Sequence, residues 1–395
     1  MKLRVAVMFG GKSVEHEVSI ISGIQALMSM DQDKYETIPV YITKQNEMYI
    51  GEEIGKIEAY RDIKGLIAKS RRVIMVNEGK NVCLVPYPAK RFGGKKPIEI
   101  DIAFPIVHGT NVEDGTLQGY LKTMGLPFVG CDVTASAVGM DKYVQKAVLK
   151  DHQVPVLDCK CFTTSDYAEI DHMIEEIEES IGYPAIVKPL NLGSSVGISV
   201  ANDRVELTNS IDDAFTYAKR ILVEHAIKNL REINCSVLGD ENEAIASECE
   251  EPLHSKDILS YEDKYLSNSK NGASKGMASV SRKIPAELPA ERRKMVQEMA
   301  VKSFQALGCN GVARIDFMID EDNDQLYFNE INTIPGSLAF YLWEPVGIPY
   351  QELLDRMIQL SLKRKREEEA LTFSFDTNIL SQQSLSGCKG GKLGK

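Results

Sequence analysis

The hydrophobic pattern is most informative between Gly311 and Gly336 (GVARIDFMIDEDNDQLYFNEINTIPG). Two apolar, β-favouring runs, 311–320 and about 325–332, flank the turn residues Glu321-Asp322-Asn323-Asp324 there. Alternation places Arg314, Asp316 and Met318 on one face of the first strand, and Phe328, Glu330 and Asn332 on one face of the second. A three- or five-residue turn sets Asp316 opposite Glu330; a two-residue turn does not. In the first register two carboxylates and a carboxamide meet beside an arginine. Like charges that close repel unless a cation lies between them, and an all-oxygen set suits Mg²⁺ bridged to phosphates. The competing reading is a solvated hairpin with ordinary surface acids.

Elsewhere the pattern alternates strand and helix. Residues 3–9 (LRVAVMF) form an apolar run that ends at Gly10-Gly11 and leads into an apolar-periodic segment to about Met30, the opening unit of a parallel α/β sheet. Tyr35–Thr43 and Ile98–Val107 supply further strands, and the mixed stretch at about 45–97 gives no clear element. Ligands collect at the carboxyl ends of such strands, so Glu15, His16, Glu17 and His108 are placed for binding. Solvated helix-start acids and a structural histidine are the alternatives. Glu113 and Asp114 suit the first turn of a helix through Met124. The pattern then predicts a helix over Thr134–His152, a strand over Pro155–Phe162, a helix over Asp166–Ile181 and a strand over Pro184–Pro189. A glycine-serine loop (191–197) follows, small enough to bring backbone N–H groups to phosphate oxygens, yet it fits neither the dinucleotide nor the P-loop pattern. Ile221–Ala226 reads as a strand leading to a crossing segment, and the polar stretch 261–276 reads as a lid. Helices are predicted over 287–307 and 350–363, and a loose tail closes the chain.

Composition narrows the class. The chain has 395 residues, 43% hydrophobic and 26% charged, which predicts two or three soluble domains. A net charge of −11 argues against sequence-independent nucleic-acid binding. Nothing is apolar for long enough to span a membrane. The eight cysteines, none in C-x-x-C spacing, read as thiols of a reducing, cytoplasmic compartment.

Taken together, GGKSVEHEVS (10–19), HGTNVEDGTLQG (108–119), MDK (140–142), GYPAIVKP with GSSVG (182–197), YEDKY (261–265), RIDF (314–317) and NEINTIPG (329–336) resemble the D-alanine-D-alanine ligases of the ATP-grasp superfamily. The match is colinear over about residues 3–363. The resemblance implies an α/β chain in a three-domain ATP-grasp architecture. A Rossmann-like parallel-sheet domain (1–131) would precede a central subdomain (132–223), a C-terminal catalytic domain (224–365) and a flexible tail (366–395). It implies joining of two D-alanines with ATP through a D-alanyl phosphate, two Mg²⁺ (or Mn²⁺) ions, and a homodimer.

Roles carry over by position. Lys142 and Lys188 match phosphate-contacting lysines. Glu224, His225 and Ala226 fall at the adenine hinge, Glu232 at the ribose, and Met318 below the purine. Ser194, Ser195 and Asn329 complete the ATP contacts, and Lys264 is the lid lysine. Asp316, Glu330 and Asn332 match the metal ligands. Glu15, Ser194 and Tyr265 match the trio that places the first D-alanine, with His108 nearby. Arg314 and the N–H of Gly336 match the oxyanion pair. Tyr341 and Leu342 are the nearest equivalents of the segment that takes the second substrate's carboxylate.

Two departures stand out. Val112 replaces the usual glycine of HGxxGEDG, and the SLAFYLWEPVG segment is spaced differently by one residue. Tyr265 favours D-alanine over D-lactate as acceptor. A relative making D-alanyl-D-serine or D-alanyl-D-lactate, and a non-enzymatic nucleotide-binding module, are the alternatives. Against the module, Lys264, Arg314, Asp316, Glu330 and Asn332 are all present, and a module freed from catalysis has no chemical need for the five together.

Overall fold

The computed structural model describes residues 2–79, 81–89, 96–191, 197–253 and 282–372. The expected lid at 261–276, with Lys264 and Tyr265, lies outside the described residues, as do Ser194 and Ser195.

The N-terminal part holds β1 (Leu3–Gly10), α1 (His16–Ser29), β2 (Tyr35–Ile42), β3 (Met48–Ile50), α2 (Ile63–Lys69), β4 (Arg71–Glu78), β5 (Asn81–Pro86), β6 (Ile98–Ile100) and β7 (Ile102–Val107). They form one seven-stranded sheet in the order β6-β5-β4-β3-β2-β1-β7. The expected parallel sheet is found only in part: β2, β1 and β7 pair in parallel, while β3 to β6 add antiparallel neighbours from the stretch the pattern left unread. The single strand predicted over Ile98–Val107 is two. Asp101 breaks it, because its carboxylate accepts from the backbone N–H, Nε and Nη2 of Arg4 at 2.7, 3.0 and 2.7 Å. That anchor lets β6 leave for β5 while β7 stays beside β1.

After α3 (Thr116–Thr123), the helix predicted over 134–152 is also two, α4 (Val133–Met140) and α5 (Lys142–Asp151). Asp141 separates them. One of its oxygens accepts from the amides of Tyr143 and Val144 at 3.1 and 3.0 Å, which caps the second helix, and the other accepts from Arg220 at 2.9 Å. The central part follows with β8 (Cys159–Thr163), α6 (Ile170–Ser180), β9 (Ala185–Pro189), β10 (Ser199–Ala201), α7 (Arg204–Tyr217) and β11 (Arg220–His225). Its antiparallel sheet runs β10-β9-β11-β8. Ala185, Val187, Ile221 and Val223 turn to a core shared with α6 and α7. Alternation then sends Lys188 and Glu224 to the opposite face. The strand predicted from Pro155 starts later, at Cys159, because the Pro155 carbonyl accepts instead from the amide of Phe328 at 2.8 Å.

The last part holds β12 (Leu230–Gly239), β13 (Ala244–Pro252), β14 (Arg282–Lys283), α8 (Ala290–Ala306), β15 (Gly311–Asp320), β16 (Gln325–Asn332) and α9 (Tyr350–Glu369). Its sheet order is β14-β13-β12-β15-β16. α8 covers one face through Val296, Ala300 and Phe304, against Ile233, Cys235, Ile315 and Phe317. α9 continues to Glu369, so residues 366–369, expected in the tail, are helical. Its apolar side (Leu353, Leu354, Met357, Ile358) joins Trp343 and Leu338 in the core of the N-terminal sheet. The third part therefore has a core under α8, joined by Ala135 of α4 and Leu149 of α5. It lends its other side to the core of the N-terminal sheet, while the β8–β11 sheet keeps a separate core with α6 and α7.

Candidate active site

The predicted hairpin forms, but by another route than the turn lengths considered from the sequence. Asp320 pairs with Gln325 across a four-residue loop, a parity that would leave Asp316 facing Asn329. A bulge between Asp316 and Phe317 admits one extra residue, and Asp316 then lies opposite Glu330, with Arg314 opposite Asn332. The bulge also reverses a face. Phe328 turns away from Glu330 to meet Phe317 edge-on in the core, at 6.4 Å between ring centroids, contrary to the uninterrupted alternation expected for 328–332.

Three registers together lay out the face of this sheet opposite α8. Glu250, Asn234, Asp316 and Glu330 form one row across four strands. Ser236, Arg314 and Asn332 form the next row on one side, and Glu232, Met318 and Tyr327 the next on the other. Arg314 grips Asp316 bidentately at 2.7 and 2.7 Å, and Asn332 Nδ2 donates to the same carboxylate at 3.1 Å. Burial pushes the Asp316 carboxyl up and Glu330 adds to the rise, while Arg314 opposes both. A site whose carboxylates raise one another is one that a divalent cation would relieve. Among the described residues no three His, Cys, Asp or Glu side chains are grouped to hold a metal. The set here is two carboxylates and a carboxamide, so it needs phosphate oxygens to complete a coordination shell.

Cations from other elements converge on this row. Lys142, the first residue of α5, reaches Glu330 at 3.2 Å. Lys188 donates to Asn329 Oδ1 at 3.3 Å and to Glu224 at 2.5 Å. Lys146, which the sequence reading missed, also donates to Glu224, which is fully buried. Burial alone would raise the Glu224 carboxyl, but the two lysines hold it down to about 2. Its side chain is thus held by two lysines from α5 and β9. The Ala226 N–H donates to the Pro184 carbonyl at 2.8 Å, and His225 is exposed. Lys146 stands four residues after Lys142 on one helix, a spacing that could have suggested it.

The third group lies at the carboxyl ends of β1 and β7. Ser13 Oγ donates to the His108 carbonyl at 2.6 Å and accepts from the Glu15 amide at 3.2 Å. Gly109, at φ +86°, comes so close that a Cβ there would stand 3.1 Å from Ser13 and 3.3 Å from the Glu15 carboxylate. Of the acids and histidine after the first turn, only Glu15 lies against the Gly109 turn. His16 is buried between the Gly11 carbonyl and the Tyr41 hydroxyl, and Glu17 pairs with Lys44 at the surface. His108 uses both ring nitrogens inside the protein, Nδ1 on the Ile334 carbonyl at 2.8 Å and Nε2 with Ser22 Oγ at 3.0 Å. The Ile334 carbonyl can only accept, so Nδ1 carries the proton, and in the neutral ring Nε2 accepts from the Ser22 hydroxyl, which itself accepts from the Ser337 amide. Burial lowers the pKa of this histidine, in keeping with a neutral ring.

Glu113 does not serve the first turn of the helix as expected; Gly115 is the N-cap, and Asp114 before it accepts from the amide of Thr116 at 3.1 Å. Glu113 turns inward and accepts from the amides of Gly109 and Ile334 at 3.0 and 2.9 Å, which ties the β7 turn to the loop before Gly336. Val112, in place of the usual glycine, is buried and fills the space beside Gly11, where a Cβ would stand only 2.6 Å from it.

From Gly336 the chain makes a tight turn to Leu342, in which Ser337, Leu338 and Ala339 are all left-handed (φ 52°, 53° and 49°). Each non-glycine residue in that region costs about 1–2 kcal/mol. Ser337 holds the turn by donating to Ser22 Oγ at 2.9 Å and to Gln25 Oε1 at 2.7 Å, with Leu338 and Ala339 buried. The turn brings Tyr341 over β13, where its hydroxyl donates to Glu250 at 3.3 Å. Leu342 is buried, so only its backbone can serve a ligand.

The D-ala D-ala ligase N-terminus model matches residues 4–131, and the D-ala D-ala ligase C-terminus model matches 148–359. The D-alanine--D-alanine ligase of Thermosipho melanesiensis is 38% identical over 378 residues, 96% of this chain and 98% of that protein. That of Caldicellulosiruptor bescii is 39% identical over 383 residues, 94% and 99% of the two chains. Among solved structures, the D-alanine-D-alanine ligase from Coxiella burnetii aligns with a TM-score of 0.75 at 29% identity, covering 93% of this chain and 96% of that one. The VanG D-Ala:D-Ser ligase from Enterococcus faecalis aligns at 0.76 and 31%, covering 91% and 100%. On these matches the chain belongs to the D-alanine-D-alanine ligase family.

Proposed function

We propose that the chain ligates two D-alanines to D-alanyl-D-alanine, cleaving ATP to ADP and phosphate through a D-alanyl phosphate, for peptidoglycan precursors. The observation that carries this reading is the row that sets Asp316 opposite Glu330, with Arg314 and Asn332 beside it and Lys142 and Lys188 reaching in from two other elements. Such a set suits phosphoryl transfer, in which catalysis is mainly positioning and charge. The nucleotide lies between the central and C-terminal sheets, along Glu224, His225 and Ala226, with Glu232 and Met318 as register neighbours beneath it. Lys142 and Lys188 take its phosphates.

Asp316, Glu330 and Asn332 would hold the two Mg²⁺ or Mn²⁺ ions, and the upward pressure on Asp316 fits that duty. When bound, the ions neutralise charge on the transferring phosphoryl group. Glu15 receives the ammonium of the first D-alanine, with His108 and Ser13 positioning the turn that holds it. Arg314 and the Gly336 N–H face the oxygen on which charge develops as the second amine attacks. Ser194, Ser195, Lys264 and Tyr265 keep the roles their positions give them in the family. The division into 1–131, 132–223 and a catalytic part, now with helix to Glu369, belongs to the same proposal. So do a homodimer and a cytoplasmic setting, the latter in keeping with the seven described cysteines being unbridged.

The test is phosphate release that requires D-alanine, with none on L-alanine. Glu330→Gln should reduce it on the order of 10²-fold or more. Unchanged release would remove the metal assignment. The likeness to a D-Ala:D-Ser ligase structure supports a second reading, a different acceptor. Mass spectrometry of products from a panel of D-alanine, D-serine and D-lactate separates the two.

A further inference from the structure

At the end of the site beyond Asp316 lies a polar group with no role assigned above. Glu250, nearly buried, accepts from Asn234 Nδ2 at 2.9 Å, from the Tyr341 hydroxyl at 3.3 Å and from Arg282 Nη1 at 2.9 Å. The Arg282 guanidinium stacks over the Tyr341 ring, 4.2 Å from its centroid. Both Glu250 and Tyr341 lie close enough to Arg314 to act on it electrostatically. Glu250 is in the same row as Asp316, and Arg282 pairs with Pro252, two residues along the same face of β13. A partly buried arginine held by a carboxylate and an aromatic ring is an oriented donor, with its planar fork fixed in advance.

An acceptor amino acid that attacks between Arg314 and Gly336 carries its carboxylate two bonds from the attacking nitrogen. That carboxylate needs a positive partner. Among the described residues, Lys142 meets the Glu330 end of the row and Arg282 the Glu250 end, with Arg314 held by Asp316 between them. The turn that delivers Tyr341 contributes no cation of its own, since 336–342 reads GSLAFYL.

We propose that Arg282 binds the carboxylate of the second amino acid, and that Glu250 and Tyr341 are positioning residues that aim it. This rests on the ligase reading above. A wild-type protein that released no phosphate with D-alanine would fail that reading and not this one in particular.

The experiment compares D-alanine with D-alaninamide as acceptor for wild type, Arg282→Met and Arg282→Lys. D-alaninamide keeps the attacking amine and lacks the carboxylate charge. Arg282→Met should raise the KM for acceptor D-alanine by about 10- to 100-fold, the size expected for a lost charge-assisted hydrogen bond. It should leave the KM values for ATP and for D-alaninamide within about twofold, so the preference for a carboxylate collapses. Arg282→Lys should recover part of that preference, and Glu250→Gln should raise the acceptor KM alone. The proposal fails if Arg282→Met and Arg282→Lys both keep the wild-type preference, or if D-alanine and D-alaninamide lose equally. A fall in Tm without a change in that ratio would assign Arg282 to structure only.

Discussion

At the scale of single residues, the site depends on pairing buried charges. Glu224 sits on the outer face of β11, out of water, and is ionised only because Lys146 and Lys188 both reach it. Removing one partner of such a group leaves a buried charge without full compensation. Lys146→Met should therefore destabilise the protein by about 3 kcal/mol, read as a fall in the urea midpoint. The sign with pH follows from a folded-state pKa near 2, below the ordinary 4.5. The stabilisation is present above pH 4.5 and is lost as pH falls through about 2. In Lys146→Met the acid transition should move to higher pH. An unchanged midpoint and acid limb would show Lys188 sufficient by itself. The residue types at Glu224 and Lys188 were legible in the sequence. That Lys188 from the neighbouring strand and Lys146 from a preceding helix would both meet on Glu224 was not, because these contacts join separate elements.

At the scale of elements, register and breaks decide which side chains meet. Turn length alone was a poor guide at the hairpin. The four-residue loop has the wrong parity, and the extra residue at Asn329 restores it, so Asp316 and Glu330 share a face for a reason outside the turn. The α4–α5 break is equally local in cause. Apolar spacing runs through Asp141 without interruption, and only the two amides it caps and the Arg220 it binds mark the stop. Asp141→Ala should cost about 1–2 kcal/mol through the lost cap, with a higher KM for ATP because Lys142 begins the capped helix. Asp141→Asn keeps the cap oxygen and should lose only the exchange with Arg220, about 0–1 kcal/mol. Equal losses in thermal unfolding of the two variants would show that capping is not what fixes this helix start.

At the scale of the whole molecule, the N-terminal and C-terminal parts are joined by a shared apolar core and by hydrogen bonds that include those of a buried carboxyl group, Glu113. Glu113 holds the Gly109 turn to the Ile334 loop, and burial together with Glu15 pushes its carboxyl up to about 8, against the pull of those two amides. An acid with a raised pKa binds a proton in the folded state that the unfolded chain has released. Its stabilisation is full below about pH 4.5 and declines as pH rises toward 8, with a slope of up to about 1.4 kcal/mol per unit. Glu113→Gln should flatten that decline when urea unfolding is compared at pH 5, 6.5 and 8. Parallel curves for variant and wild type would remove Glu113 from the linkage.

The sequence by itself determined the chemistry and the main periodic elements. Alternation in 311–332 placed Arg314, Asp316 and Met318 together, the run to Gly10-Gly11 placed a binding turn at Glu15, and the ordered motifs named the family. These are local properties, set by period, turn composition and residue type. Tertiary structure alone decided that Glu113 turns inward, that Lys146 joins Glu224, that α9 packs with the first sheet, and that Arg282 and Glu250 stand beside Tyr341. Each of those contacts joins residues from separate elements, and partners for buried charges are chosen by which faces meet after packing. No pattern along one strand or helix carries that choice.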